Sequence, residues 1–262
     1  MVDPAGTALD AMMVTNAASH LERRYQAPLA QVVLRPVAPV QVRVAYTWSS
    51  TCGNVDGEDA NVGPSMVTLG DYPEYRDVRW SAPRGPLAID QRHRLRLWSL
   101  VDVKVPPSVG RLTVGLVQRV ESGVAWSAVG NINPKAYVVN PGYAAPPTSV
   151  PYYFSGRGAF RTDPLTATDL SVNWTHRAPG LKKGTVFFRG VLVNVLNRSA
   201  VVRVSKTVLT RNDSVSYQAF DPFTDTPVRG VHYGYGADFG TPIGPGDYQP
   251  PREFSIAFGI RY

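Results

Sequence analysis

The side chains able to do chemistry are few and scattered. An acidic run, Asp56, Glu58 and Asp59, offers the hard oxygen ligands that calcium prefers. It lacks the spacing of an EF-hand loop, and a solvated loop explains it as well. The histidines His20, His93, His176 and His232 lie far apart. No H-E-x-x-H and no Cys/His cluster marks zinc, so each reads as structural. Cys52 is the single cysteine, which excludes an intrachain disulfide framework. There is no G-x-S-x-G, no P-loop and no dinucleotide fingerprint. The expectation is a protein that is not an enzyme and that uses no cofactor and no metal. Carboxylates brought together from different strands are the catalytic arrangement that sequence leaves open.

The elements that must carry these residues are strands. The last stretch, Arg252 to Tyr262, sets Phe254, Ile256, Phe258, Ile260 and Tyr262 on one face and Glu253, Ser255, Ala257, Gly259 and Arg261 on the other. A strand between lipid and a polar lumen must alternate this way, although a soluble sandwich strand can do so too. The 23 Gly and 23 Pro, with few helix-friendly runs, point to an all-β chain with long punctuated loops. No apolar run approaches the ~20 residues of a membrane helix. The net charge of +7 suits an anionic partner, lipopolysaccharide for instance. The basic residues form no block and no stacking motif, so nucleic acid is not an expected partner.

Residues 1 to 18 are small and mixed, and "ALDAMMV" fits either a short helix or the tail of an earlier strand. The run His20–Pro36 is β-rich, with an alternation that shifts near Pro28 and suggests a bulge. After a tight turn at Val37–Val40, Gln41–Ser50 sets Val42, Val44, Tyr46 and Trp48 against Arg43 and its neighbours. His93–Val105 opposes Leu95, Leu97, Val101 and Val103 to Arg94, Arg96, Asp102 and Lys104. Arg111–Ser122 opposes Leu112, Val114, Leu116 and Val120 to Arg119 and Glu121. Thr168–His176 follows, then Thr185–Asn197, which is apolar on both faces and extends at most to Val204. About seven strands result. Short turns at Val37–Val40, Pro106–Gly110 and Ala178–Gly184 alternate with long loops at Thr51–Asp90, Ala128–Thr166 and Arg198–Pro251. Outer-membrane barrels have this rhythm, with short periplasmic turns and long extracellular loops.

Laid out in order, "AYTWSSTCGNVDGE", "LAIDQRHRLRLWSLVDVKVP", "RLTVGLVQRVESGVAWSAVG", "YYFSGRGAFRTDPLTATDLSVNW", "VLVNVLNR" and "PREFSIAFGIRY" resemble the C-terminal β-barrel portion of TonB-dependent outer-membrane receptors. The nearest subgroup looks like the Oar-like receptors with a carboxypeptidase-regulatory-like domain. The resemblance runs from about Thr15 to the end and rests on order and spacing, not on a single motif. It implies a 22-stranded transmembrane barrel, an internal plug and a TonB box, serving ligand uptake or surface adhesion in the cell outer membrane. It implies as partners the outer-membrane lipid and lipopolysaccharide, the barrel-assembly machinery, the plug and N-terminal strands of the receptor, and TonB through the N-terminal part. Phe254, Ile256, Phe258, Ile260 and Tyr262 would be the assembly signal; a plain last core strand is the alternative.

The N-terminus shows no basic region followed by an apolar one, and no plug or TonB box is visible. The expectation is therefore a truncated N-terminal segment, 1–18, ahead of a barrel fragment, 19–262, that is unlikely to transport alone. Arg43, Arg94, Arg96, Asp102, Lys104, Arg119, Glu121 and Arg261 would face the lumen, where they contact a plug or an anionic ligand, or simply solvate the polar face. Tyr46, Trp48, Trp126 and Trp174 are candidates for interfacial girdles, whereas Trp98 falls on the charged face. The tyrosine- and proline-rich loops would touch ligand in an intact receptor. The alternative reading is a soluble β-sandwich or jelly-roll binding or capsid-like module, in which the apolar faces are buried against each other.

Overall fold

The computed structural model describes residues 22–55, 83–137, 148–177, 184–211 and 216–261. Strands dominate, and among the described residues there is no α-helix. In chain order they are β1 (Arg23–Gln26), β2 (Leu29–Val37), β3 (Val40–Trp48), β4 (Ser50–Gly53), β5 (Gly85–Pro86), β6 (His93–Val103), β7 (Arg111–Glu121), β8 (Ala125–Trp126), β9 (Val129–Ile132), β10 (Val150–Tyr153), β11 (Phe160–Arg161), β12 (Leu165–Arg177), β13 (Thr185–Val193), β14 (Val208–Leu209), β15 (Gly234–Tyr235) and β16 (Glu253–Arg261).

Seven of them form one antiparallel sheet in the order β2-β3-β6-β7-β12-β13-β16. This is the sequential meander that the periodicity predicts. β2 and β16 are its edges and do not pair with each other. In such a meander the connections alternate between the two rims. The β2–β3 turn at Ala38–Pro39 and the β6–β7 turn share one rim with the β12–β13 link, most of which lies outside the described residues. The three long connections leave from the other rim.

The register fixes what each face carries. Leu34, Val42, Ser99, Leu116, Leu170, Leu192 and Phe254 stand side by side across all seven strands. The next row towards the short-turn rim is Val40, Val101, Val114, Val172, Gly190 and Ile256. The row beyond it is Val103, Leu112, Trp174, Phe188 and Phe258. Period-2 alternation on every strand therefore adds up to one continuous apolar face.

Some boundaries differ from the sequence reading. Near Pro28 the chain breaks into two strands instead of bulging. β1 leaves the large sheet and pairs with β4, and the one-residue register shift of β2 comes later, between Leu34 and Val37. It brackets Pro36, whose missing N–H is tolerated on an edge strand. β12 starts earlier than expected, at Leu165. β13 stops at Val193 and does not run on to Val204. The next residue, Asn194, takes a positive φ of 49°, as does Asn197 at 48°, and both turn the chain away from the sheet. Gly110 closes the β6–β7 turn at φ 107°, where an added Cβ would sit 2.3 Å from the Thr175 carbonyl oxygen.

The buried core is not under the sheet. It sits in the long connections, where Ala128, Ile132, Val150, Tyr152, Phe154, Phe220 and Tyr233 form one cluster, with Phe160, Val208, Phe223, Tyr235 and Phe239 packed around it.

Candidate functional site

The apolar face is the candidate site. On β16, Phe254, Ile256, Phe258 and Ile260 are 64%, 52%, 83% and 54% exposed. Val32 and Leu34 on β2, Val172 on β12 and Phe188 on β13 are also exposed. Among the described residues no second sheet covers this face. Monomers in water rarely leave a contiguous apolar surface of this breadth uncovered. The structure thus brings Phe254, Ile256, Phe258 and Ile260 onto one face, as their spacing predicts. Tyr262 lies outside the described residues.

Aromatic side chains mark both ends of the face. Tyr46 and Trp48 stand where β3 meets the long-connection rim, with the Tyr46 hydroxyl 2.8 Å from His93 Nδ1. Near the opposite rim, Trp174, Phe188 and Phe258 are cross-strand neighbours. Trp174 donates its indole N–H to the Val109 carbonyl at 2.8 Å and stacks on His176. Trp98 lies on the charged face between Arg43 and Val117, as expected. Trp126 does not belong to a girdle. It is buried in the loop layer and stacked on Phe160 at 4.5 Å, because Val124–Trp126 turns away from β7 to pair with β11.

The opposite face is polar and rich in arginine. Arg43, Arg94, Arg96, Asp102, Arg119, Glu121 and Arg261 share it, as predicted, and Lys104 follows just past the end of β6. Arg96 reaches Glu121 at 3.3 Å, Arg119 reaches Asp169 at 3.7 Å, and the Thr113 hydroxyl donates to Asp102 at 2.7 Å. Arg261 covers the Phe187 ring.

Above the long-connection rim the three connections are tied into one layer, which sequence reading treated as open loop. The knot at its base is Asp90, fully buried. Its carboxylate accepts the Thr51 backbone N–H at 2.6 Å, the Arg92 Nε at 2.9 Å and an Arg161 guanidinium N–H. Burial pushes the Asp90 carboxyl up, but the Thr51 N–H and the Arg161 and Arg92 guanidiniums more than reverse this and hold it below the ordinary carboxylate range. Arg161 also donates to the Asp90 and Gly123 carbonyls, joining the first two connections. The Val201 backbone N–H donates to the Asp163 carboxylate at 3.1 Å and joins the third to the second, and Gln249 donates to the Thr166 carbonyl at the start of β12 at 3.0 Å.

Asn194 fastens the start of the third connection. Its side-chain amide donates to the Arg198 and Pro250 carbonyls, both at 2.9 Å, and its carbonyl oxygen accepts the Arg198 N–H at 3.0 Å. The aromatic density of "SVPYYF" and "VHYGYGADFG" was the available signal for a folded layer, since loops that stay solvated do not need six aromatic rings to pack.

The acidic run Asp56, Glu58 and Asp59 lies outside the described residues, as does His20. Among the described residues no group of His, Cys, Asp and Glu is placed to hold a metal ion. A shallow groove of about 570 Å³ lies beside the start of β16, between Arg198 and the Pro242–Pro245 turn. No family model, no curated protein and no solved structure matches the chain.

Proposed function

We propose that this chain is the C-terminal barrel portion of a TonB-dependent, Oar-like outer-membrane receptor, which takes up a ligand or adheres to a surface. One observation carries the reading: a seven-stranded antiparallel meander whose apolar face is uncovered and whose opposite face is charged. A bilayer is the solvent that such a face fits, because lipid takes the place of the missing second layer. The dimensions agree. β6 and β7, at 11 residues each, reach about 34 Å along the strand and about 26 Å along the axis of a barrel with strands tilted ~40°, close to the ~25 Å apolar band of outer-membrane barrels. Short turns on one rim and a folded loop layer on the other fit the periplasmic and outer sides. The sequence resemblance, from "AYTWSSTCGNVDGE" to "PREFSIAFGIRY", supports the same reading.

In this reading β2 and β16 cannot remain edges. Unpaired backbone groups in lipid cost several kcal/mol each, so further strands must pair with both, and the parent receptor supplies them together with the plug. Phe254, Ile256, Phe258, Ile260 and Tyr262 serve as the assembly signal for the insertion machinery. Lipopolysaccharide borders the outer end of the belt. TonB acts through the N-terminal part of the parent.

The test is tryptophan quenching in vesicles whose acyl chains carry bromine. Emission from Trp48 and Trp174 is expected to be quenched, and Trp48→Phe combined with Trp174→Phe removes most of the quenching. Unquenched emission from the chain folded in vesicles overturns the reading. Parentage is checked separately in the DNA upstream of codon 1, where an in-frame extension encoding more strands is expected.

A further inference from the structure

The polar face holds more positive charge than its own carboxylates neutralise, and the excess is concentrated on three strands. We propose that Arg43, Arg94, Arg96 and Arg119 form a binding site for a doubly charged oxyanion, a phosphate monoester or a small dicarboxylate, on the polar face of β3, β6 and β7. Arg96 and Arg119 are direct cross-strand partners, an arrangement that destabilises a sheet unless an anion lies between them. Arg94 stands beside them opposite Glu121, and Arg43, opposite Trp98, is diagonal to Arg96.

The nearby carboxylates are already shared. Glu121 takes Arg96 at 3.3 Å and the Gln91 amide at 3.3 Å. Asp169 lies 3.7 Å from Arg119 and accepts the Asn194 backbone N–H at 2.8 Å. Four guanidiniums against two carboxylates leave two positive charges. Among the described residues Arg43 and Arg94 have no ion pair. Among the described residues the Nε atoms of Arg94 and Arg119 have no hydrogen-bond partner, so each keeps a donor that no protein group uses.

The scale of the cluster sets the ligand. Adjacent strands lie ~4.8 Å apart and same-face neighbours ~7 Å apart, so the four long side chains can converge within about 10 Å. That span matches one phosphate group or a short dicarboxylate. A phosphate monoester carries about −1.5 to −2 at neutral pH and accepts guanidinium N–H groups in pairs. The site depends only on the register of β3, β6 and β7, and it stands whether or not the other face meets lipid.

The full chain in detergent is titrated with inorganic phosphate and, separately, with succinate, and followed by calorimetry and by Trp98 emission. Saturable binding is expected, weaker with added salt. Arg94→Gln is expected to lower affinity about tenfold, and Arg43→Gln, an exposed position, to do the same without loss of strand content by circular dichroism. Arg189→Gln, on the same face but on β13, is expected to leave affinity unchanged. Tighter phosphate binding assigns a phosphorylated ligand, and tighter succinate binding a dicarboxylate. Absence of saturable binding by both anions, or an equal loss with Arg189→Gln, overturns the proposal.

Discussion

Ile256 and Ser255 are adjacent in β16 and lie on opposite faces of the sheet, so a charge placed at each separates a lipid-facing surface from a wet one. Ile256 is 52% exposed and sits in the row of Val172, Val114 and Val101, near mid-strand. An arginine at the midplane of a barrel's lipid face costs about 2–4 kcal/mol. Losing the half of Ile256 that would face lipid adds roughly 1 kcal/mol, taking about 2 kcal/mol for a whole buried isoleucine. Ile256→Arg should therefore destabilise the inserted state by about 3–5 kcal/mol. Ser255→Arg points to the polar face beside Val191 and should change stability by no more than about 0.5 kcal/mol. The assay is urea titration of the chain folded into lipid vesicles, read by tryptophan emission and by protease protection of the strands. Equal effects at the two positions would refute the reasoning, and so would a neutral Ile256→Arg, which is what a sheet face in water would give.

Four further predictions concern the loop layer and the short-turn rim. Asp90→Ala should cost about 2–3 kcal/mol, near the lower end for a broken buried ion pair, because Arg92 and Arg161 are 35% and 32% exposed and water can reach them. The folded Asp90 carboxyl is held below its ordinary range, so its contribution is full above about pH 4 and is lost as pH falls through the lowered folded value. Urea midpoints should drop more steeply below about pH 4 in the natural chain than in Asp90→Asn, and parallel curves would contradict this. Asn194→Ala removes three side-chain hydrogen bonds and places alanine at φ 49°, for a loss of about 3–5 kcal/mol in the same titration. Gly110→Ala should cost about 2–3 kcal/mol, since both the φ of 107° and the Thr175 carbonyl oppose a Cβ; an unchanged midpoint would show that the turn relaxes freely.

What sequence revealed and what it hid follow from one physical difference. A strand's two faces are written in its own alternation, so Phe254, Ile256, Phe258 and Ile260 could be placed before any coordinates, as could Arg94 and Arg96 against Leu95 and Leu97. The meander order was legible because short turns force neighbours to pair. The loop layer was hidden because its contacts join residues far apart in sequence. Arg161 reaches Asp90 across 71 positions and Gln249 reaches Thr166 across 83, and no local period announces either. Trp126 was misplaced for the same reason: its partners Phe160 and Phe239 come from other connections. The ends of β13 were misjudged because a β-prone composition ran on through Val195, while the backbone was decided by two asparagines that tolerate positive φ. The opposed pair Arg96 and Arg119 emerged only once the β6–β7 register was fixed.

One face of this sheet is proposed to meet lipid. Single cysteines placed along Glu253–Arg261 in a Cys52→Ser background, each spin-labelled in vesicles, test it by access to oxygen, which favours lipid, and to a water-soluble nickel chelate. The account predicts a period of two, with positions 254, 256, 258 and 260 open to oxygen and 255, 257, 259 and 261 open to nickel. Nine positions equally open to nickel, or 254, 256 and 258 closed to both probes, would contradict it.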